Sequence, residues 1–388
     1  MGRVSVDVFS GQEGIGALAR DWDDLCSQPG SEEYYQTWPW YQAYLTALAP
    51  ASQEMLFFRV MREGHAIGIF PMVRFPVTLG GFRFRALGFP QHDYLGTAGA
   101  PLPKPHAVAA MEALVDFLET GRAGEWDMVL FASVAETSDL GPAMDACRKN
   151  RSARLHQRYS RYLECGGADG QVPRGMSSSF RRNLRRLSRR GAQLGTLSLE
   201  VVSERHLLPS AFQEFAELES SGWKGADGTA TAVNCNSNVR HYYEVLLDEF
   251  GRRSMASINL LKCGRDYIAG QVCLGADGAL HILKIGYRES YAAIAPGFLL
   301  LERVLEHYGA DGVVRRVGLE TNPPWATLWG AHQIAHYDCY IFRNSGRGIL
   351  ASTLVRARGL GKRVLRFWHS HVSDWRQRWP ALRSRDQK

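Results

Sequence analysis

Three groups of residues have the types and spacing to do chemistry. The first runs from Gly286-Tyr287-Arg288 to Ala295-Pro296-Gly297-Phe298 and reads as a strand end, a loop and a helix start. Pro296 suits a first helical turn, where its missing N–H would have no partner anyway, and Gly297 lets a ligand approach the backbone. The unpaired N–H groups and the positive end of such a helix favour an anion such as a pyrophosphate. An ordinary core helix opened by proline would leave the same signature. The second group is His281, on the strand before that loop, and Glu320, at the end of the next strand. Each is a candidate general base near neutral pH. A hydrogen-bonded structural histidine and a solvated rim carboxylate are the plain alternatives. Strict alternation would put His281, Leu283, Ile285 and Tyr287 on one face of their strand, with Ile282 and Lys284 on the other.

The third group is a run of seven arginines without an acid between Arg174 and Arg190. Phe180, Leu184 and Leu187 fall at i, i+4 and i+7 and make one apolar helical stripe. Ser177 to Ser179 offer an N-cap, and Gly191 stands where a C-terminal stop is expected. Guanidinium groups suit bidentate contact with phosphate or carboxylate, so Arg181 and Arg185 are candidates for holding an anionic substrate. A solvated basic face is the alternative.

The net charge of +7 is unevenly placed. Residues 343–388 hold twelve basic and two acidic residues, so the rest of the chain is net −3. With a net acidic body and no recognition motif, a DNA-binding protein is disfavoured. The seven cysteines are scattered and include no Cys-x-x-Cys, so neither a disulfide framework nor a metal site is expected. Met1 to Ser10 lack the apolar core of a secretory leader, and no run reaches the ~18 apolar residues of a spanning helix. A reduced, cytosolic protein is expected, able to rest on the inner face of a membrane. The tail mixes Leu350, Leu354, Val355, Leu360, Phe367, Trp368, Trp375 and Trp379 with basic residues, the pattern of an interfacial anchor. Docking on the protein's own second domain is the other reading.

These groups need elements to position them. Periodicity predicts helices near 18–25, 39–48, 106–120, 207–221, 238–250 and 296–308. It predicts strands at 55–61, 66–73, 126–131, 161–165, 197–202, 257–263, 268–275, 279–287, 314–319 and 337–342. Leu56–Pro71 and Ile258–Val272 share a strand, a tight turn and an Ile/Ala/Gly strand start, which favours duplication of one α/β unit. The Gly-rich break at 166–170 divides the chain into 1–165, 174–345 and a basic tail, 346–388.

The order helices, three antiparallel strands, phosphate loop, helix, strand resembles the GNAT acyltransferase superfamily. The closer resemblance is to acetyltransferases of the cellulose-biosynthesis CelD type, related to the FemAB transferases. It rests on Ser178 to Arg186, Gly222-Trp223-Lys224-Gly225 with Gly228-Thr229-Ala230, Tyr287 to Gly297, and Trp329-Gly330. The resemblance implies a mixed α/β fold of two tandem GNAT-like domains, the first degenerate, each a largely antiparallel sheet flanked by helices. It implies acetyl-CoA as co-substrate, held at Tyr287, Ala295, Pro296, Gly297 and Phe298, with Trp223 and Lys224 shaping the acceptor pocket. The implied reaction moves an acetyl group to an amine of a sugar or nucleotide-sugar in exopolysaccharide or capsule synthesis. Two other readings are an aminoacyl transferase using charged tRNA and a non-catalytic scaffold that senses a nucleotide or lipid. Thr321 to Ala326 stand where relatives often carry Gly-Asp-x-x-Tyr-Lys, which bears on acceptor choice.

Overall fold

The computed structural model describes residues 4–28, 33–148, 151–165, 175–276, 278–310 and 312–360. Arg174, the 166–170 break and tail residues 361–388, with Phe367 and the last three tryptophans, lie outside them. In the first half the elements are β1 (Val4–Ser10), α1 (Gly11–Ala17), α2 (Ala19–Cys26), α3 (Trp38–Ala47), β2 (Met55–Arg62) and β3 (His65–Leu79). Then come β4 (Phe82–Gly88), α4 (Ala107–Glu119), β5 (Met128–Ala135), α5 (Leu140–Arg148) and β6 (Ser152–Glu164). The second half runs α6 (Ser178–Leu194), β7 (Leu197–Val202), α7 (Leu208–Ser220), α8 (Ser237–Gly251), β8 (Ala256–Cys263) and β9 (Asp266–Ala276). It continues through β10 (Ala279–Tyr287), α9 (Pro296–Ala310), β11 (Arg316–Leu319) and β12 (His332–Phe342). A last helix, α10, covers 346–360. No described helix is long and apolar enough to cross a membrane.

Both halves follow one plan. Strands β1 to β4 pair antiparallel in sequence order and β5 joins β4 in parallel; β7 to β10 repeat this, with β11 parallel to β10. The sixth strand of each unit comes from the other half. β6 lies against β11, β12 lies against β5, and the two pair with each other, giving one sheet in the order β1-β2-β3-β4-β5-β12-β6-β11-β10-β9-β8-β7. The result is a mixed α/β architecture, a large sheet flanked by helices. One core layer also joins the halves: α3 packs on α8, with Trp40 and Tyr242 rings 5.8 Å apart, both fully buried.

The β2–β3 hairpin turns through Glu63 and Gly64 with φ of 52° and 83°, the two left-handed residues of a type I′ turn. In α6 the Ser177 hydroxyl accepts the Phe180 N–H at 3.2 Å as N-cap. Phe180, Leu184, Leu187 and Gly191 form its buried stripe. Gly191 therefore does not stop the helix. It lies on the packing face, where a Cβ would come within 2.8 Å of Leu197, and the helix runs on to Leu194.

The expected faces of β10 are also corrected. The β9 register steps from Cys273↔Ile282 to Val272↔Lys284, so Leu283 is an extra, bulged residue. Beyond it every side chain changes face. Ile282, Ile285 and Tyr287 point to the α6/α9 core, whereas His281, Leu283 and Lys284 point toward α3, α7 and α8.

Candidate active-site cleft

β11 stays beside β10 only from Ala279↔Arg316 to Ile282↔Leu319. Past the bulge, β10 continues to Tyr287 paired only with β9, and a cavity of about 380 Å³ opens on the side that β11 has left. A short helical turn, Glu289–Ile294, follows β10 and is closed by Ala295, whose φ of 48° is left-handed and redirects the chain into α9. Phe298 and Leu299 both donate backbone N–H to the Ala295 carbonyl, at 2.9 and 3.3 Å. With Pro296 lacking a donor, Gly297 is the first-turn residue with an amide to offer a ligand. A Cβ on Gly297 would meet no atom within 4 Å, so the cleft is open there. Phe298 anchors the turn against Phe180, Trp325 and Trp329, with centroids 5.7, 5.8 and 6.2 Å away. An anion fits this helix start, and the apolar Ile285, Phe298 and Leu301 suit an alkyl arm beyond it.

The opposite wall comes from α7 and the loop after it. Glu219, whose side chain is fully buried, accepts from Lys224 Nζ at 3.0 Å, Lys284 Nζ at 3.3 Å and the Val233 amide at 2.9 Å. Lys224 also donates to the Ile285 carbonyl at 2.6 Å. Lys284 lies between the Tyr94 and Tyr243 rings, at 5.3 and 6.0 Å. Burial, and secondarily Lys224, hold its pKa below the usual lysine value despite the pull of Glu219. Trp223 stands at the mouth, 51% exposed, its N–H tied to Glu289.

All five residues expected to hold the co-substrate, together with Trp223 and Lys224, thus line one cleft. His281 and Glu320 do not. They line a separate void of about 40 Å³ on the seam between the halves. His281 Nδ1 is 3.0 Å from Glu320 Oε1, and Nε2 is 3.3 Å from Glu33 Oε2. Tyr34 donates to Glu320 at 2.6 Å, Arg316 to Glu33 at 2.6 Å, and Arg158 to the Glu320 carbonyl at 2.8 Å. Burial alone would lower the His281 pKa, but the two carboxylates overcome it and raise it to about 9. Burial likewise opposes ionisation of Glu33 and Glu320, yet His281 leads the partners that pull both below the usual range. Arg181 and Arg185 are outside the cleft lining. They sit on α6, which packs on the start of α9 through Phe180, and Arg185 acts electrostatically on Glu302 of α9.

Sequence reading missed Glu219 and Gln271 on the cleft, Lys284 paired behind Glu219, and Glu33, Tyr34, Arg158 and Arg316 on the seam. Gln271 alone carried a local signal, as a polar residue inside the apolar run Ile268 to Leu274.

Residues 178–321 match the family model described as an acetyltransferase (GNAT) domain. Over most of its length the chain is similar to the crystal structure of FemX, with a TM-score of 0.56 and 12% identity, covering 85% of this chain and 96% of that one. Residues 178–321 thus carry a GNAT-type domain, and the chain over most of its length shares its fold with FemX. The structure of L-PGS from Bacillus licheniformis is similar at a TM-score of 0.50 and 12% identity, covering 89% of this chain and 96% of that one. Such identities speak to fold, and no curated protein matches the sequence. The GNAT match ends at the splay of β10 and β11, so it contains the whole expected co-substrate site.

Proposed function

We propose that the protein is an N-acetyltransferase that takes an acetyl group from acetyl-CoA in the second-half cleft. It passes the group to an amine of a sugar or nucleotide-sugar used in exopolysaccharide or capsule synthesis. The observation that carries this is the convergence of Tyr287, Ala295, Pro296, Gly297 and Phe298 on one cavity with an open helix N-terminus. The Gly297 amide and the dipole of α9 would hold the pyrophosphate. The co-substrate, when bound, supplies a thioester open to direct attack by a neutral amine. Trp223 offers an exposed ring face to a sugar, and its neighbour Lys224 orients the wall beside it.

Glu33 and Glu320 raise the His281 pKa and so favour its protonated form, and in this reading neither His281 nor Glu320 takes the proton of the amine. In this reading the Lys224 ammonium on the cleft wall disfavours a further ammonium nearby, which presents the acceptor as the free amine. The arginine face of α6, with Arg181 and Arg185 beside α9, is proposed to meet a phosphate of the acceptor. The basic tail is proposed to rest on an anionic membrane surface in the cytosol.

Calorimetry with acetyl-CoA tests the central claim. The wild-type protein should bind it, and Gly297→Asp should abolish binding by adding bulk and negative charge at the helix start. Unchanged affinity in Gly297→Asp would place the co-substrate elsewhere.

A further inference from the structure

The floor of the cleft contains a polar side chain with nothing to bind. Gln271 lies on β9 directly opposite Ile285 of β10, is fully buried, and lines the cavity. Neither Oε1 nor Nε2 has a hydrogen-bond partner among the described residues. Its register neighbour on β8, Asn259, is equally buried but has partners at both of its amide atoms. Asn259 Nδ2 donates to the Cys273 sulfur at 3.4 Å, and its Oδ1 accepts from Tyr308 at 3.5 Å. Of the neighbouring lining, Ile285, Phe298 and Leu301 are apolar, and the charged pair Lys224–Glu219 is already satisfied within itself and by the Ile285 carbonyl.

Buried carboxamides are normally satisfied, because their lost hydration is costly. An apolar residue would fill this place without that cost. On one side the cleft runs inward from Pro296 and Gly297 to Leu301, one helical turn deeper, and on the other from Tyr287 to Ile285. A ligand whose phosphates rest on the first turn of α9 must therefore lay its arm past Gln271.

We infer that Gln271 is a ligand-binding residue that recognises a donor-plus-acceptor group on the acyl donor, a secondary amide or a hydroxyl, and pairs both of its own amide atoms with it. A plain acetyl methyl cannot supply that chemistry. The amides of a pantetheine arm can, and so can a polar substituent on a longer acyl chain. Gln271 would thus select pantetheine thioesters over esters that lack such a group at that depth. This inference rests on the thioester-donor reading above.

The test is calorimetry on the full chain with three probes: free CoA, butyryl-CoA and 3-hydroxybutyryl-CoA. Gln271→Met, close in size but unable to pair at both ends, should lose about ten-fold in affinity for the probe that carries the recognised group. Equal loss for all three probes assigns the group to the pantetheine arm. Loss for 3-hydroxybutyryl-CoA alone assigns it to the acyl chain, and the wild-type protein should then prefer that probe to butyryl-CoA. Should Gln271→Met fail to fold, Gln271→Asn keeps the carboxamide, withdraws it by one methylene, and should show the same loss. Unchanged affinity for all three probes in a folded variant overturns the inference. Failure of the wild-type protein to bind any of them is a different result: it overturns the donor reading, and this inference falls with it.

Discussion

His281 has a carboxylate at each of its ring nitrogens. Two carboxylates face it from opposite sides, Glu33 from the first half and Glu320 from β11's end, with Arg316 and Arg158 behind them. A true base would cost ~10²–10⁴ in turnover when removed. Once an acceptor is in hand, His281→Asn should cost less than about ten-fold, with acetyl-CoA affinity kept. Its larger effect should be on stability. The folded pKa is raised from 6.5 to about 9, so the folded state binds the extra proton between those values. The stabilisation is complete below 6.5 and is lost as pH rises through about 9. The melting temperature of the wild-type protein should fall across that range, and His281→Asn should start lower and show a flatter decline. A steep turnover loss with unchanged melting would return His281 to the role of base. At this scale, residues that act through local order were legible: Pro296-Gly297 states a helix start wherever the strand before it lies. The seam was not, because Tyr34 and Glu320 stand 286 positions apart in sequence and meet only after the sheet has formed.

Elements explain why the cleft opens where it does. β11 has four residues and β10 nine, so the parallel pair must part, and the Leu283 bulge bends β10 at the point of parting. Alternation along 279–287 cannot report a bulge, which is why the faces past Leu283 were misread while the strand itself was not. The repeated hairpins were legible from Leu56–Pro71 and Ile258–Val272, but β1, α1, β4 and α5 were not predicted. β1 at the sheet edge and β4, paired between β3 and β5, both carry exposed residues along them, so they lack a continuous apolar signal. Nothing local in Ser152–Glu164 or His332–Phe342 states that these strands trade places. The exchange has a direct consequence for folding. In a fragment 1–165 the β5 edge lacks β12, and in 174–388 the β11 edge lacks β6. Each fragment should be insoluble or unfolded when expressed alone, and co-expression should recover a soluble complex. A monomeric, cooperatively melting 174–388 fragment would show that the exchanged strands contribute little.

At the scale of the whole molecule, the tail divides into a part that is docked and a part defined so far by its charge. Helix α10 buries Ala351 and Val355 against Phe84, Met128, Leu130 and Phe342, and Arg347 reaches the buried Asp127 at 3.2 Å. It therefore covers β4 and β5 of the first half together with the exchanged strand β12 of the second. The apolar residues Leu354 and Val355, which suggested an amphipathic anchor, are spent on this packing. The proposed membrane contact would then fall to 361–388, a stretch of sequence with eight basic and two acidic residues and three tryptophans. Near an anionic surface each Lys or Arg contributes ~1 kcal/mol. Ending the chain at Ser345 would strip a docked helix and bare an apolar patch, so any change in lipid binding would be confused with unfolding. A chain ending at Leu360 keeps the cover. It should melt like the full chain but fail to sediment with phosphatidylserine-containing vesicles at physiological salt, whereas the full chain should pellet. If the shortened chain still pellets, the contact belongs to α6, whose arginines remain on a helix packed through Phe180, Leu184 and Leu187. Arg181→Glu/Arg185→Glu in that background should then release it, and the cleft beside α9 would face the lipid surface.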